Sequence, residues 1–134
     1  MGEFLLPVKV YIEDTDAGGI VYHANYLKFM ERSRTEYFSQ FGYHKPATLE
    51  NGLLLVVHSM NIEFLGAARL GDQLQASTKV LNVKRTYVVF EQTVMLDEKI
   101  LCRAEVKVAC VTKEQLKPSL MPEKMKALLL EHKD

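Results

Sequence analysis

The run Glu13-Asp14-Thr15-Asp16-Ala17-Gly18-Gly19-Ile20-Val21-Tyr22-His23-Ala24-Asn25-Tyr26 separates two different hydrophobic periods. Before it, Leu6 to Glu13 alternates, with Val8, Val10 and Ile12 on one face and Lys9, Tyr11 and Glu13 on the other, which is a strand pattern. After it, Tyr26, Leu27, Met30, Arg34, Tyr37, Phe38 and Phe41 recur at steps of three and four, with Lys28, Glu31, Arg32, Glu36 and Gln40 on the other face. This spacing predicts an amphipathic helix from Asn25 to Phe41, with Asn25 as N-cap and Gly42 as its stop. Carboxylates and glycines therefore sit at a strand-to-helix junction. There the backbone turns sharply, and the first N–H groups of the helix are free to meet a ligand oxygen. Such a junction suits acyl chemistry: a carboxylate can attack a carbonyl or activate water, while the N–H groups hold the oxyanion.

Outward from this stretch, residues 43–52 hold Pro46, Asn51 and Gly52 and read as a loop. Leu53 to Leu65, Gln73 to Val83, Tyr87 to Leu96 and Ile100 to Thr112 read as strands, with turns at Gly71-Asp72 and Asp97-Glu98-Lys99. After Pro118 and Pro122, residues 123–132 predict a short C-terminal helix. An antiparallel sheet with one long helix packed on it satisfies this order, in an α+β fold. Val88, Phe90, Val106, Val108 and Val111 suggest more apolar surface than one helix covers. An uncovered edge strand is also a liability, so a second copy is expected to pair with it.

The chain has 134 residues, enough for one domain over residues 1–134 with one sizeable core. Lys+Arg and Asp+Glu are 17 each, a balance that gives no sign of a nucleic-acid or membrane partner. No apolar run approaches the roughly 18 residues of a membrane span. Met1 to Leu6 carries Glu3 and no basic start, so it does not read as a signal peptide. Cys102 and Cys110 fall in one predicted strand, roughly 26 Å apart at about 3.3 Å per residue. They cannot pair with each other and are expected to be buried thiols in a reducing cytoplasm.

Within the junction, Asp16 next to Ala17-Gly18-Gly19 is an anion at neutral pH and can serve as nucleophile or general base. The plainer alternative is that Asp14 and Asp16 only make turn and capping hydrogen bonds. A calcium loop beginning at Asp14 fails, because Gly18 and Asn25 stand where ligands are needed. His23, His44, His58 and His132 have no metal-ligand spacing. His23 lies at the helix start, where either its ring or its backbone N–H can act; His58 is expected to be a core histidine. No Gly-x-Ser-x-Gly elbow is present, no serine has an obvious base beside it, and the cysteines lie in an apolar run.

The Glu13-to-Tyr26 run, with Phe29-Met30-Glu31-Arg32-Ser33-Arg34 and the later Ala68-Arg69-Leu70-Gly71-Asp72 turn, resembles the 4-hydroxybenzoyl-CoA thioesterase family of hotdog folds. It is most like the Tol–Pal-cluster acyl-CoA thioesterase branch, the YbgC-like proteins. The resemblance covers nearly the whole chain. It implies a long central helix wrapped by a curved antiparallel five-stranded sheet, assembled as a homodimer or homotetramer. It implies that Asp16 is the catalytic carboxylate and that the His23 N–H polarises the thioester carbonyl, with Gly19 and Tyr22 beside the substrate. In the benzoyl-CoA branch a tyrosine holds the His23 position, so an aromatic substrate is not implied. Lys84 and Arg85 match the family's basic residues for the CoA nucleotide; alternatively they form a solvated basic turn. The implied activity is hydrolysis of acyl thioesters on CoA or acyl carrier protein, with no metal and no cofactor. Two other functions remain open: a hotdog enoyl-thioester hydratase or dehydratase using His23 and Asp16 as a proton-transfer pair, and a non-catalytic acyl-carrier-protein binding module.

Overall fold

The computed structural model describes residues 3–46 and 48–133. Five strands, β1 (Phe4–Lys9), β2 (Leu53–Phe64), β3 (Gln73–Val83), β4 (Tyr87–Leu96) and β5 (Lys99–Thr112), form one sheet in the order β1-β3-β4-β5-β2. Every adjacent pair is antiparallel. The long helix α1 (Asn25–Ser39) packs against β1, β3 and β4, and the short helix α2 (Glu123–Glu131) packs against β3. Among the described residues, no helix is long and apolar enough to cross a membrane.

Helix α1 buries Tyr26, Phe29, Met30, Tyr37 and Phe38, recurring at three- and four-residue steps. Leu27, expected on this face, is instead 37% exposed, and Phe29 is the fully buried neighbour. The helix ends at Ser39, two residues before the predicted Phe41, with Gly42 as its stop. Gly42, at φ +92°, lets Tyr43 N–H reach Phe38 O at 3.2 Å and Gly42 N–H reach Ser39 O at 3.0 Å, a Schellman ending. Its start differs. Ala24 is the first capping residue, and Asn25 is buried with Nδ2 donating 2.8 Å to Asp14 O, so Asn25 ties the preceding turn down rather than capping the helix.

The first strand is also shorter than its alternation suggests. Residues Ile12–Asp14 form one 3-10 turn, leaving Ile12 76% exposed instead of on the core face. The cause is the Asp14 carboxylate, which takes Tyr11 N–H at 2.9 Å, a side-chain bond that competes with strand pairing. Val88, Phe90, Val106, Val108 and Val111 are all buried within the single chain. The expected apolar surplus is therefore not there; the exposed apolar side chains Val57 and Phe64 lie instead on the edge strand β2. His58 is exposed, not in the core. It is the extra residue of a bulge between Val57 and Ser59, and its ring lies outside the ladder.

A polar network fixes the middle of α1 to the sheet. Gln92 Nε2 donates to Met30 O, Thr78 Oγ1 and Ser77 O, at 2.9, 2.8 and 3.2 Å, and its Oε1 accepts from Arg34 at 2.8 Å. Ser33 Oγ bonds Ala76 O and Thr78 Oγ1. Buried polar groups joined in this way hold one helix register, because any slip would leave them unpaired.

Candidate active site

The Asp-Gly segment folds as a tight hairpin. Thr15 bridges Val21, Asp16 N–H donates to Ile20 O at 2.9 Å, and Gly19 N–H donates to Asp16 O at 3.0 Å. Gly19 has φ +81°, a conformation that costs a side-chain-bearing residue energy, and it closes the turn. Asp16 Oδ1 accepts Gly18 N–H at 2.8 Å. A methyl group on Gly18 would sit 3.2 Å from that oxygen, so glycine there leaves room for the carboxylate to fold back. The other oxygen, Oδ2, has no partner among the described residues, and Asp16 is exposed.

The hairpin leads directly into α1. Tyr22 N–H is spent on Asp14 O at 3.0 Å and Asn25 N–H on Tyr22 O at 2.8 Å. Tyr26 and Leu27 N–H close the first turn on His23 O and Ala24 O, at 3.3 and 3.2 Å. The N–H groups of His23 and Ala24 have no acceptor among the described residues. These are the free donors of a helix start, carrying its partial positive charge. The loop before β3 braces the junction. Val21 N–H donates to Ala68 O at 2.8 Å, and Ala68 N–H donates to Tyr26 Oη at 3.0 Å. Burial raises the Tyr26 phenol above its usual range, against the lowering effect of the Ala68 N–H, so it stays a neutral strut.

Around this junction stands an aromatic group. The His23 ring lies 4.5 Å from Tyr22 and 5.7 Å from Phe64, and Phe64 lies 6.0 Å from Tyr26, measured between centroids. Tyr22 and Phe64 are 48% and 45% exposed, so the group forms an open apolar wall. Phe64, at the end of β2, was not marked by any local pattern; only the sheet topology brings it to the helix start. The four residues Asp16, Gly19, Tyr22 and His23 thus lie on one hairpin-to-helix segment.

Lys84 and Arg85 lie elsewhere, in the turn between β3 and β4. With Val83, Thr86, Tyr87, Leu120 and Lys126 they line a cavity of about 490 Å³ that includes neither Asp16 nor His23. A separate groove of about 400 Å³ runs beside α1 and includes Arg34, Phe38, Leu55, Val57 and Val108. Burial lowers the Arg34 guanidinium from its usual range, with Glu31 acting the other way.

One serine does have a base beside it, contrary to the sequence reading: Ser39 Oγ lies 2.7 Å from His44 Nδ1. The sequence separation of five across a Gly42 turn hid the contact. The pair is exposed at the helix end, where it closes the last turn. Cys102 and Cys110 are free and buried. Burial pushes the Cys102 thiol up to about 11 and also raises Cys110, which disfavours a reactive thiolate at neutral pH.

Residues 10–129 match the family model of the Thioesterase-like superfamily. The chain is 46% identical, over 92% of its own length and 92% of the relative's, to the acyl-CoA thioesterase YbgC of Haemophilus influenzae. It is 40% identical to the acyl-CoA thioester hydrolase YbgC of Escherichia coli O6:H1, over 92% and 93% of the two chains. Among solved structures, a probable thioesterase from Bartonella henselae superposes with a TM-score of 0.79 at 32% identity, covering 90% of this chain and 98% of that one. The chain belongs to the Thioesterase-like superfamily and has its hotdog fold.

Proposed function

We propose that this protein is an acyl-CoA thioester hydrolase, releasing a free acid and the CoA thiol. The observation that carries the reading is that one hairpin-to-helix segment carries both a free carboxylate oxygen on Asp16 and the unspent N–H groups of His23 and Ala24 at the start of α1. It stands in a chain that is 46% identical to an acyl-CoA thioesterase.

The chemistry follows from those groups. Asp16 Oδ2 takes a proton from water, and the resulting hydroxide adds to the thioester carbonyl. The tetrahedral oxyanion accepts hydrogen bonds from the His23 and Ala24 N–H groups. As it collapses, the C–S bond breaks and the CoA thiolate takes up a proton. In the nucleophilic variant, Asp16 itself attacks, expels the thiolate and forms an anhydride that water then cleaves to the acid. Both routes have the same balance, and neither draws on a cofactor. The aromatic contacts of the His23 ring, to Tyr22 and Phe64, favour a packing role for that side chain over acid–base work.

Gly19 supplies the backbone turn, Tyr22 forms a wall at the acyl end, and Lys84 with Arg85 grips the phosphates of CoA. The cavity they line is separate from Asp16 within one chain, so a homodimer or homotetramer is part of the proposal. Antiparallel pairing of the β2 edge with a second copy would cover Val57 and Phe64 and satisfy the open ladder. The free thiols fit a reducing cytoplasm.

A thiol-release screen over short, long and aromatic acyl-CoAs tests the reading, with acyl carrier protein thioesters alongside. Release of free CoA matched by free acid is expected. Hydration of a crotonyl thioester without thiol release would establish the hydratase instead, and binding without either reaction would establish a carrier module.

A further inference from the structure

The cavity at Lys84 and Arg85 contains a third cation that comes from the far end of the chain. Lys126 belongs to α2, yet it lines the same space of about 490 Å³ as the β3–β4 turn. That volume falls in the roughly 300–1,000 Å³ range of small-molecule sites. No carboxylate side chain is among the described residues that line it. Three basic residues from two elements therefore line one concavity in whose lining no acidic residue takes part, which raises the local affinity for an anion carrying several charges.

The two elements are held together by backbone bonds. Met121 N–H donates to Arg85 O at 3.0 Å, pinning the approach to α2 against the turn. Lys84 N–H closes the turn on Tyr87 O at 2.8 Å, and Cys110 N–H holds Thr86 O at 2.8 Å. Met125 and Leu129 are 1% and 2% exposed, so α2 is anchored on both sides of Lys126. Lys126 is half-buried where Lys84 and Arg85 are exposed. A half-buried ammonium loses less to water and salt than its exposed neighbours do.

We infer that Lys126 completes a three-cation site for the phosphorylated nucleotide end of coenzyme A, and so selects free acyl-CoA over acyl-pantetheine carried on a protein. The inference rests on the hydrolase reading and adds to it the residue that reads the nucleotide. A pantetheine thioester presents the same reacting carbonyl but not the adenosine bisphosphate, so only a contact made at that distant end can separate the two substrates. Such a contact is made alike before and during the chemical step, and it acts on KM rather than kcat.

The test uses the full-length protein and two readouts. Calorimetric titration with adenosine 3′,5′-bisphosphate should show binding that Lys126→Gln weakens about tenfold, near the low end for a hydrogen bond to a charged group. Lys126→Arg should restore most of it. In turnover, Lys126→Gln should raise KM for acyl-CoA by about the same factor, leaving kcat and the acyl-pantetheine KM unchanged. Equal losses on both substrates would overturn the inference, since Lys126 would then only support the turn. A selective loss on acyl carrier protein would overturn it too. If Lys84→Ala/Arg85→Ala raises KM while Lys126→Gln does nothing, the hydrolase stands and Lys126 has no part. If no thioester is hydrolysed but bisphosphate binding still depends on Lys126, the nucleotide site stands and the hydrolase reading fails.

Discussion

Asp16→Asn separates the turn from the chemistry. The hairpin uses only one carboxylate oxygen, Oδ1, which holds Gly18 N–H at 2.8 Å. Asparagine keeps an acceptor oxygen at that place and puts an amide where the free oxygen was. The turn then loses only the charge assistance of one exposed bond. Losing a whole bond to a charged group costs at most about 1.5–3 kcal/mol and less where it is exposed, and the substitution, which keeps the bond, costs only part of that. Removal of a general base or nucleophile lowers kcat by at least about a hundredfold, which is about 2.7 kcal/mol of transition-state stabilisation. The two effects are readable apart. Urea unfolding should give a midpoint near wild type, while a continuous thiol-capture assay shows the loss in kcat. The protein's own thiols contribute little background, because both are buried and burial holds Cys102 up to about 11. Asp16→Ala, which removes the acceptor as well, should lose both stability and activity. Near-wild-type turnover in Asp16→Asn, with contaminating esterases excluded, would refute the assignment.

His23→Ala should keep more activity than Asp16→Asn, because the proposed oxyanion donor is a backbone N–H that alanine also carries; a loss as deep, at unchanged folding, would point to acid–base work by the ring. Lys84→Ala/Arg85→Ala should raise KM for acyl-CoA with kcat little changed, and should barely affect an acyl-N-acetylcysteamine; equal losses would assign the pair to the fold instead. The wild-type KM for acyl-CoA should also rise with salt, as both side chains are exposed. Stability should fall as pH rises from about 9 to about 11. The Cys102 thiol, raised by burial from 9.0 to about 11, stays protonated in the folded chain after the unfolded one has ionised. The unfolded state then binds fewer protons, and folding loses free energy through that window. Burial raises Tyr37 from 10.0 to about 12, which extends the same trend upward. A thermal-melt series should show this alkaline slope, and Cys102→Ala should flatten its lower part; a slope unchanged by that variant would place the titrating group elsewhere.

What was legible depended on how local the cause was. Strands β3 and β4 begin and end where alternation and turn residues place them, Gln73–Val83 and Tyr87–Leu96. Gly42 ended α1 as read, because a left-handed C-terminal residue needs only its own backbone. Ile12 was misread because its alternation continued past the point where one side chain, Asp14, captured the backbone. His58 was misread because a bulge shifts the register by one residue, which moves a side chain off its face without changing the composition. Phe64 beside His23 and His44 beside Ser39 are contacts made by topology, as is the placing of Lys126 in the cavity that Arg85 lines, and no local spacing encodes them.

The hardest question the junction posed was which of two carboxylates, two residues apart, is available for chemistry. Spacing treats Asp14 and Asp16 alike; burial and hydrogen bonding do not. Asp14 is 6% exposed. Its carboxylate takes Tyr11 N–H, and its carbonyl takes Tyr22 N–H and Asn25 Nδ2. The first bond closes the 3-10 turn after the first strand, and the other two tie that turn to the start of α1, so Asp14 is a scaffold residue. A nucleophile there would be walled off from a substrate by burial. Asp16 stands one step beyond, on the exposed arm of the hairpin. It uses one oxygen to shape its own turn and keeps the other free. The division assigns the rigid anchoring to Asp14, and with it the placement of the His23 and Ala24 N–H groups. That is why the proposed mechanism uses Asp16, a carboxylate placed to reach a substrate without disturbing the frame that aligns it.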